Sequence, residues 1–150
     1  MSKWYSIRYM ASLIWIGLLL GISFMEAPLK FQAPSVTLPI GLEIGRLVFN
    51  TLNKMEWIML LLMILSLIFS HPKKGIILLV AGLGLILIYQ TTFLLPRLDQ
   101  RAEVIISGGS PASDNIHFFY VALEVVKLVL LATSTYYFIY KNDDDYENAR

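Results

Sequence analysis

The chain has 150 residues, 57% of them hydrophobic, with a formal net charge of +1 and no cysteine. A soluble domain averages about 45–50% apolar residues; the excess here sits in four long blocks, the pattern of a bilayer protein rather than of a large soluble core. The charge balance gives no basis for nucleic-acid binding, and the absence of cysteine excludes disulfides, thiolate metal sites, iron–sulfur clusters and cysteine nucleophiles.

The first apolar block predicts a helix over 5–28. Lys3 and Arg8 precede it as in a signal peptide, but Phe24, Met25 and Glu26 are not the small residues that cleavage requires, so it is expected to stay. Pro28, Pro34 and Pro39 bar a single regular helix from Ala27 to Gly41. The second helix is expected over 42–70. Its first part sets Ile44, Leu47, Val48 and Leu52 against Glu43, Arg46, Asn50 and Asn53, an amphipathic start. His71-Pro72-Lys73-Lys74 is a tight turn, which makes the flanking helices antiparallel neighbours. The third helix is expected over 75–104, uncharged as far as Leu95 and charged from Arg97 through Asp99 and Arg101 to Glu103. Ser107-Gly108-Gly109-Ser110-Pro111 is a loop signal, and Ser113 or Asp114 can cap a fourth helix over 114–141. The acidic tail, 142–150, is expected to be disordered.

The fold class is therefore an all-α integral membrane protein, in which residues 1–141 form a four-helix transmembrane bundle with amphipathic extensions on the non-cytoplasmic side. Its first partner is the lipid bilayer. Lys3, Arg8, Lys73, Lys74, Lys141 and Arg150 gather at one end, and Lys30, Arg46, Arg97 and Arg101 at the other. The short, bare Lys73-Lys74 turn decides the orientation, with both termini in the cytoplasm; the expected location is a bacterial inner (plasma) membrane.

Depth along the helices brings out the main feature. Climbing at ~1.5 Å per residue from Arg8, His71, Lys74 and Lys141 places Lys127, Glu56, Gln90, Glu124 and Glu26 at about 21–27 Å, within a hydrocarbon core about 30 Å thick. Too few uncharged residues separate Glu56 from His71, or Lys127 from Lys141, for a crossing that leaves those charges outside. Each would cost at least ~2.5 kcal/mol facing lipid, so they are expected to point inward and pair. Glu124 and Lys127 are spaced i, i+3, and Glu26 and Lys30 i, i+4. His117, Tyr120, Glu124 and Lys127 make one polar stripe; Arg46, Asn50, Asn53 and Trp57 make another. The candidate layer is thus Glu26, Lys30, Arg46, Asn50, Asn53, Glu56, Gln90, Arg97, His117, Tyr120, Glu124 and Lys127. Two readings stay open: a site that binds or passes something, or ion pairs that fix helix register. Lys30 and Arg97 can also snorkel to the interface, the reading preferred for Arg97 and Arg101.

Other signals are weaker. Gly17/Gly21 and Gly41/Gly45 are two G-x-x-x-G pairs, expected to pack closely inside the bundle, as are Gly82 and Gly84, with dimerisation the alternative for the first pair. His71 and His117 lie at opposite ends and cannot clamp one haem. His117, Glu56 and Glu124 are metal-ligand types without a ligand spacing. Neither a cofactor nor a catalytic group is assigned.

Trp15-Ile16-Gly17, Ser23-Phe24, Ala27-Pro28, Phe31, Gly45-Arg46-Leu47-Val48-Phe49, Leu95-Pro96-Arg97-Leu98 and His117 together resemble the membrane family called domain of unknown function 4149, grouped with relatives of transmembrane protein 205. The resemblance covers nearly the whole chain. It implies a four-helix membrane protein, brings no activity and assigns no residue; the segment from Pro28 to Pro39 and the Glu124/Lys127 pair are not matched to it.

Three functions follow as expectations: a module that binds or passes a small charged solute or ion through an outward-facing polar layer; a structural or accessory subunit that packs on a membrane partner or on itself; and a membrane-embedded enzyme using Glu124 or Glu56 on a lipidic substrate. The last lacks a nucleophile or metal signature. A bundle this small, without internal repeats, would need oligomers to conduct.

Overall fold

The computed structural model describes residues 3–70, 73–111 and 113–147. Four helices in it are long and apolar enough to cross a membrane: α1 (Trp4–Gln32), α2 (Leu38–Phe69), α3 (Lys74–Ile106) and α4, which runs over Ile116–Glu147 and has its candidate span at Ile116–Tyr137. Each packs against its sequence neighbours, and α4 closes the ring onto α1. His71 and Pro72 of the expected turn, and residues 148–150 of the tail, lie outside the described residues.

The buried positions explain why these helices form one bundle. They recur at steps of three and four: Arg8, Ser12, Trp15 and Leu19 on α1; Asn53, Glu56, Leu60, Met63, Ser66 and Ser70 on α2; Val80, Leu83, Leu87, Gln90 and Leu94 on α3; Tyr120, Glu124, Lys127, Leu131 and Ser134 on α4. That spacing keeps one seam of each helix on the bundle axis and gives near-parallel, coiled-coil-like packing. The opposite faces expose Leu47, Ile68, Leu78, Leu85, Phe93 and Val129.

The helix limits depart from expectation where prolines lie. α1 does not end at Pro28 but continues to Gln32, because its segment Leu19–Glu26 is a π-helix. α3 likewise carries a π segment, Gln90–Leu94, just ahead of Pro96. In each, the residue before the proline bonds five residues back: Ala27 N–H to Ile22 O, and Leu95 N–H to Gln90 O. A proline has no N–H and crowds the carbonyl four residues back. Widening the preceding turns relieves both problems, as π-bulges do. Thr91 and Thr92 return their hydroxyls to Leu87 O and Ile88 O at 2.8 and 2.7 Å, satisfying backbone acceptors where the ladder changes.

α2 begins at Leu38, ahead of the expected residue 42, since Pro39 stands in its first turn, where its missing N–H costs nothing. α3 stops in a Schellman motif: Gly108 has φ 84°, and Gly108 and Gly109 N–H reach Ile105 O and Val104 O at 3.0 and 2.8 Å. Asp114 accepts the Ile116 amide at 3.3 Å, so α4 starts slightly later than predicted. α4 then continues through Asn142–Glu147, where disorder was expected; once a long helix exists, each added residue gains a backbone bond without a new nucleation cost.

The glycine pairs separate. A Cβ on Gly41 would run into the Phe31 ring, and one on Gly45 would lie 3.1 Å from Lys30 Nζ, so both make room for the end of α1. Around Gly17 and Gly21 nothing lies within 4 Å. The expected close packing inside the bundle is therefore corrected for that pair, which is turned away from the other helices. Gly82 and Gly84 have ordinary contacts with Leu130 and Leu60.

Candidate functional site

The predicted layer resolves into two connected tiers. The inner tier lies on the bundle axis and draws on all four helices. Lys127 Nζ contacts Glu56 Oε1 and also pairs with Glu124 Oε1 at 2.9 Å. Trp15 Nε1 donates to Glu56 Oε1 at 2.9 Å, Gln90 Nε2 to Glu124 Oε1 at 2.9 Å, and Ser23 Oγ to Glu124 Oε2 at 3.1 Å. The side chains of Glu56, Gln90, Glu124 and Lys127 are wholly buried. A buried charge persists only when paired and hydrogen-bonded, and Lys127 is the one cation that the two carboxyls share.

The two π segments supply Glu124 with its neutral donors. Ser23 lies in the first and Gln90 in the second, so the backbone adjustment at each proline coincides with a hydrogen bond to the same carboxyl.

The outer tier surrounds a cavity of about 480 Å³, at the end of the bundle that carries the α1–α2 and α3–α4 connections. This size is within the usual range for small-molecule pockets. Glu124, Ser23 and Tyr120 reach it from the inner tier, and Lys30, Arg46, Asn50, Asp99 and His117 line it higher up. The remaining wall is apolar, from Phe24, Phe31, Leu42, Phe49, Leu98 and Val121. Lys30 pairs with Glu26 at 3.2 Å, and its ammonium lies 5.6 and 5.5 Å from the Phe31 and Phe49 ring centroids, close enough for cation–π attraction. Arg46 grips Asp99 with two bonds, 2.6 and 3.0 Å, and also bonds Glu103. That fork clamps α2 to α3 at the mouth.

Other predicted residues fall outside the cavity. Asn53 exchanges hydrogen bonds with Thr91 at 2.9 and 3.2 Å, and Trp57 Nε1 donates to the same hydroxyl at 3.1 Å. Arg97 is exposed and lines no part of the cavity, and Arg101 pairs with Asp114. The candidate layer thus divides: Glu56 and Lys127 are buried and line no part of the cavity, while Lys30, Arg46, Asn50 and His117 line it. Among the described residues no group of three or more His, Cys, Asp or Glu could hold a metal. His117 faces the cavity, whereas Glu56 is committed to Lys127 and Trp15, so that trio does not assemble.

Four contributors were not in the predicted layer. Trp15 reads as one more apolar residue, although a buried indole N–H needs an acceptor, and that was the available signal. Ser23 had no carboxylate near it in sequence except Glu26. Asp99 and Glu103 looked like surface charges, and nothing local tied them to Arg46, more than fifty positions earlier. Ser23 is not an activated nucleophile here, because it donates to a carboxylate already held by Lys127 and Gln90 rather than to a free base.

The chain matches no family model, no curated protein and no solved structure.

Proposed function

We propose that this is an integral membrane protein that binds a small charged solute in the cavity, with the Glu56–Lys127–Glu124 cluster closing the cavity's inner end. The carrying observation is the cavity itself: an apolar, aromatic wall with a few converging polar groups over a sealed ionic floor. Such a lining suits a solute with one charged group on an apolar body, held rather than conducted, since the floor leaves no open path along the axis. With Lys73 and Lys74 on the cytoplasmic side, the cavity opens away from the cytoplasm, and the bacterial inner membrane remains the location we favour. The resemblance to the domain of unknown function 4149 family, carried by the residues quoted for it, supports the four-helix membrane reading.

The test is stabilisation of the purified protein by a panel of small carboxylates, amines and amino acids. A solute at 100 times its Kd adds about 2.7 kcal/mol. Ala102→Trp, which fills the cavity from a lining position, is expected to abolish that response while the unliganded protein still melts cooperatively. A saturable response that ignores Ala102→Trp, or no response from any member, counts against the reading.

A second reading has its own support. Gly17 and Gly21 present an open G-x-x-x-G face, the kind of surface on which a helix of another subunit packs; this favours an accessory role in an assembly.

A further inference from the structure

The inner tier is out of balance in charge. Glu56 and Glu124 face a single ammonium, Lys127, and none of the three side chains reaches the surface. Among the described residues no second cation contacts either carboxyl; Arg8, also buried, lies on α1 about two turns before Trp15. The other groups facing the cluster are Trp15 and Ser23 on α1, Gln90 on α3 and Tyr120 on α4, all neutral hydrogen-bonding groups. Lys30 and Arg46 are engaged with Glu26, Asp99 and Glu103. With both carboxyls ionised, the bundle axis would hold an uncompensated negative charge in a low-dielectric interior, an arrangement proteins avoid by neutralising the group.

The two carboxyls are not equivalent. Glu124 accepts from Lys127 and Gln90 on Oε1 and from Ser23 on Oε2. Glu56 accepts from Lys127 and Trp15 on Oε1, but its Oε2 is buried with no hydrogen-bond partner. A carboxylate oxygen can only accept, and a protonated one can donate. Two further buried polar atoms of the cluster lack partners: Gln90 Oε1, which can only accept, and Tyr120 OH, which can accept or donate. A metal ion fits poorly, since it needs several oxygen ligands and space around it, and the cavity reaches Glu124 but not Glu56. A proton needs no space.

We propose that the cluster is a proton-binding site holding one exchangeable proton on Glu56 Oε2, with Glu124 and Lys127 as the charged pair. Glu124 and Ser23, on the cavity floor, are its connection to solvent. The site rests on the geometry of the cluster and not on the cavity's binding a solute.

Infrared spectroscopy on the purified full-length protein at neutral pH tests this. Solvent-exposed carboxyls are ionised there, so a protonated-carboxyl carbonyl band reports a buried group. The wild type is expected to show the band of one carboxyl per chain, shifted in heavy water. Glu56→Gln and Glu124→Gln should each remove it, because one carboxylate then balances Lys127. Lys127→Met should strengthen it, because both carboxyls then lack a counter-ion. Trp15→Phe should raise the band's frequency by removing one of the two donors to the Glu56 carbonyl oxygen, and Ser23→Ala should leave it in place. No band in the wild type overturns the proposal, as does a band that survives Glu56→Gln. A band that moves with Ser23→Ala and not with Trp15→Phe overturns the assignment to Glu56.

Discussion

Lys127→Met is expected to lower the stability of the detergent-solubilised protein by about 3–5 kcal/mol, the usual cost of stripping a buried charge of its partner. Lys127 touches both buried carboxyls, so whichever one carries the charge is left without a counter-ion. Interhelical hydrogen bonds in membrane proteins average only ~0.6 kcal/mol. Loss of Lys127 should therefore far exceed loss of a neutral donor such as Ser23 or Gln90. Glu56→Gln and Glu124→Gln should be mild, since each leaves one carboxyl opposite Lys127. The triple change Glu56→Gln/Glu124→Gln/Lys127→Met should recover most of the loss, and its coupling is read from a mutant cycle of melting temperatures. A Lys127→Met protein that melts like the wild type would remove the ion cluster from the account.

Trp15→Ala should cost about 3–5 kcal/mol, the range for emptying a fully buried aromatic site. Trp15 has no exposed surface and packs within the cluster formed by Ala11, Leu19, Leu52, Leu60 and Leu83. Trp15→Phe keeps most of the ring and removes the N–H to Glu56, for a loss of about 1 kcal/mol. The gap between the two variants in thermal denaturation separates packing from hydrogen bonding. Equal losses would mean that the indole N–H, rather than the ring, holds the helices together.

The four long apolar helices were legible because each block is continuous and the breaks between them carry proline, glycine or charge. Glu56 and Lys127 were legible for a related reason: the second and fourth helices are too short to cross without them, and matched depth along the helices added Gln90 and Glu124. The prolines misled. Pro28 was read as the end of its helix, and neither it nor Pro96 gave any hint of the π segment ahead of it; those segments place Ser23 and Gln90 against Glu124. The division into a sealed tier and an open cavity was also hidden. It depends on Phe31 and Lys30 folding back over Gly41 and Gly45, contacts between residues about ten to fifteen positions apart that follow no helical period.

The central claim is a cavity open to water at one end of the bundle and sealed by the charged cluster. The native absence of cysteine makes single-cysteine labelling direct. Ala27→Cys lines the cavity, and Ser134→Cys is buried two turns beyond Lys127, away from it. With a membrane-impermeant thiol reagent applied to either face of oriented vesicles, Ala27→Cys should react from the non-cytoplasmic face alone and Ser134→Cys from neither. Labelling of Ala27→Cys from the cytoplasmic face, or of Ser134→Cys from either face, would contradict the account.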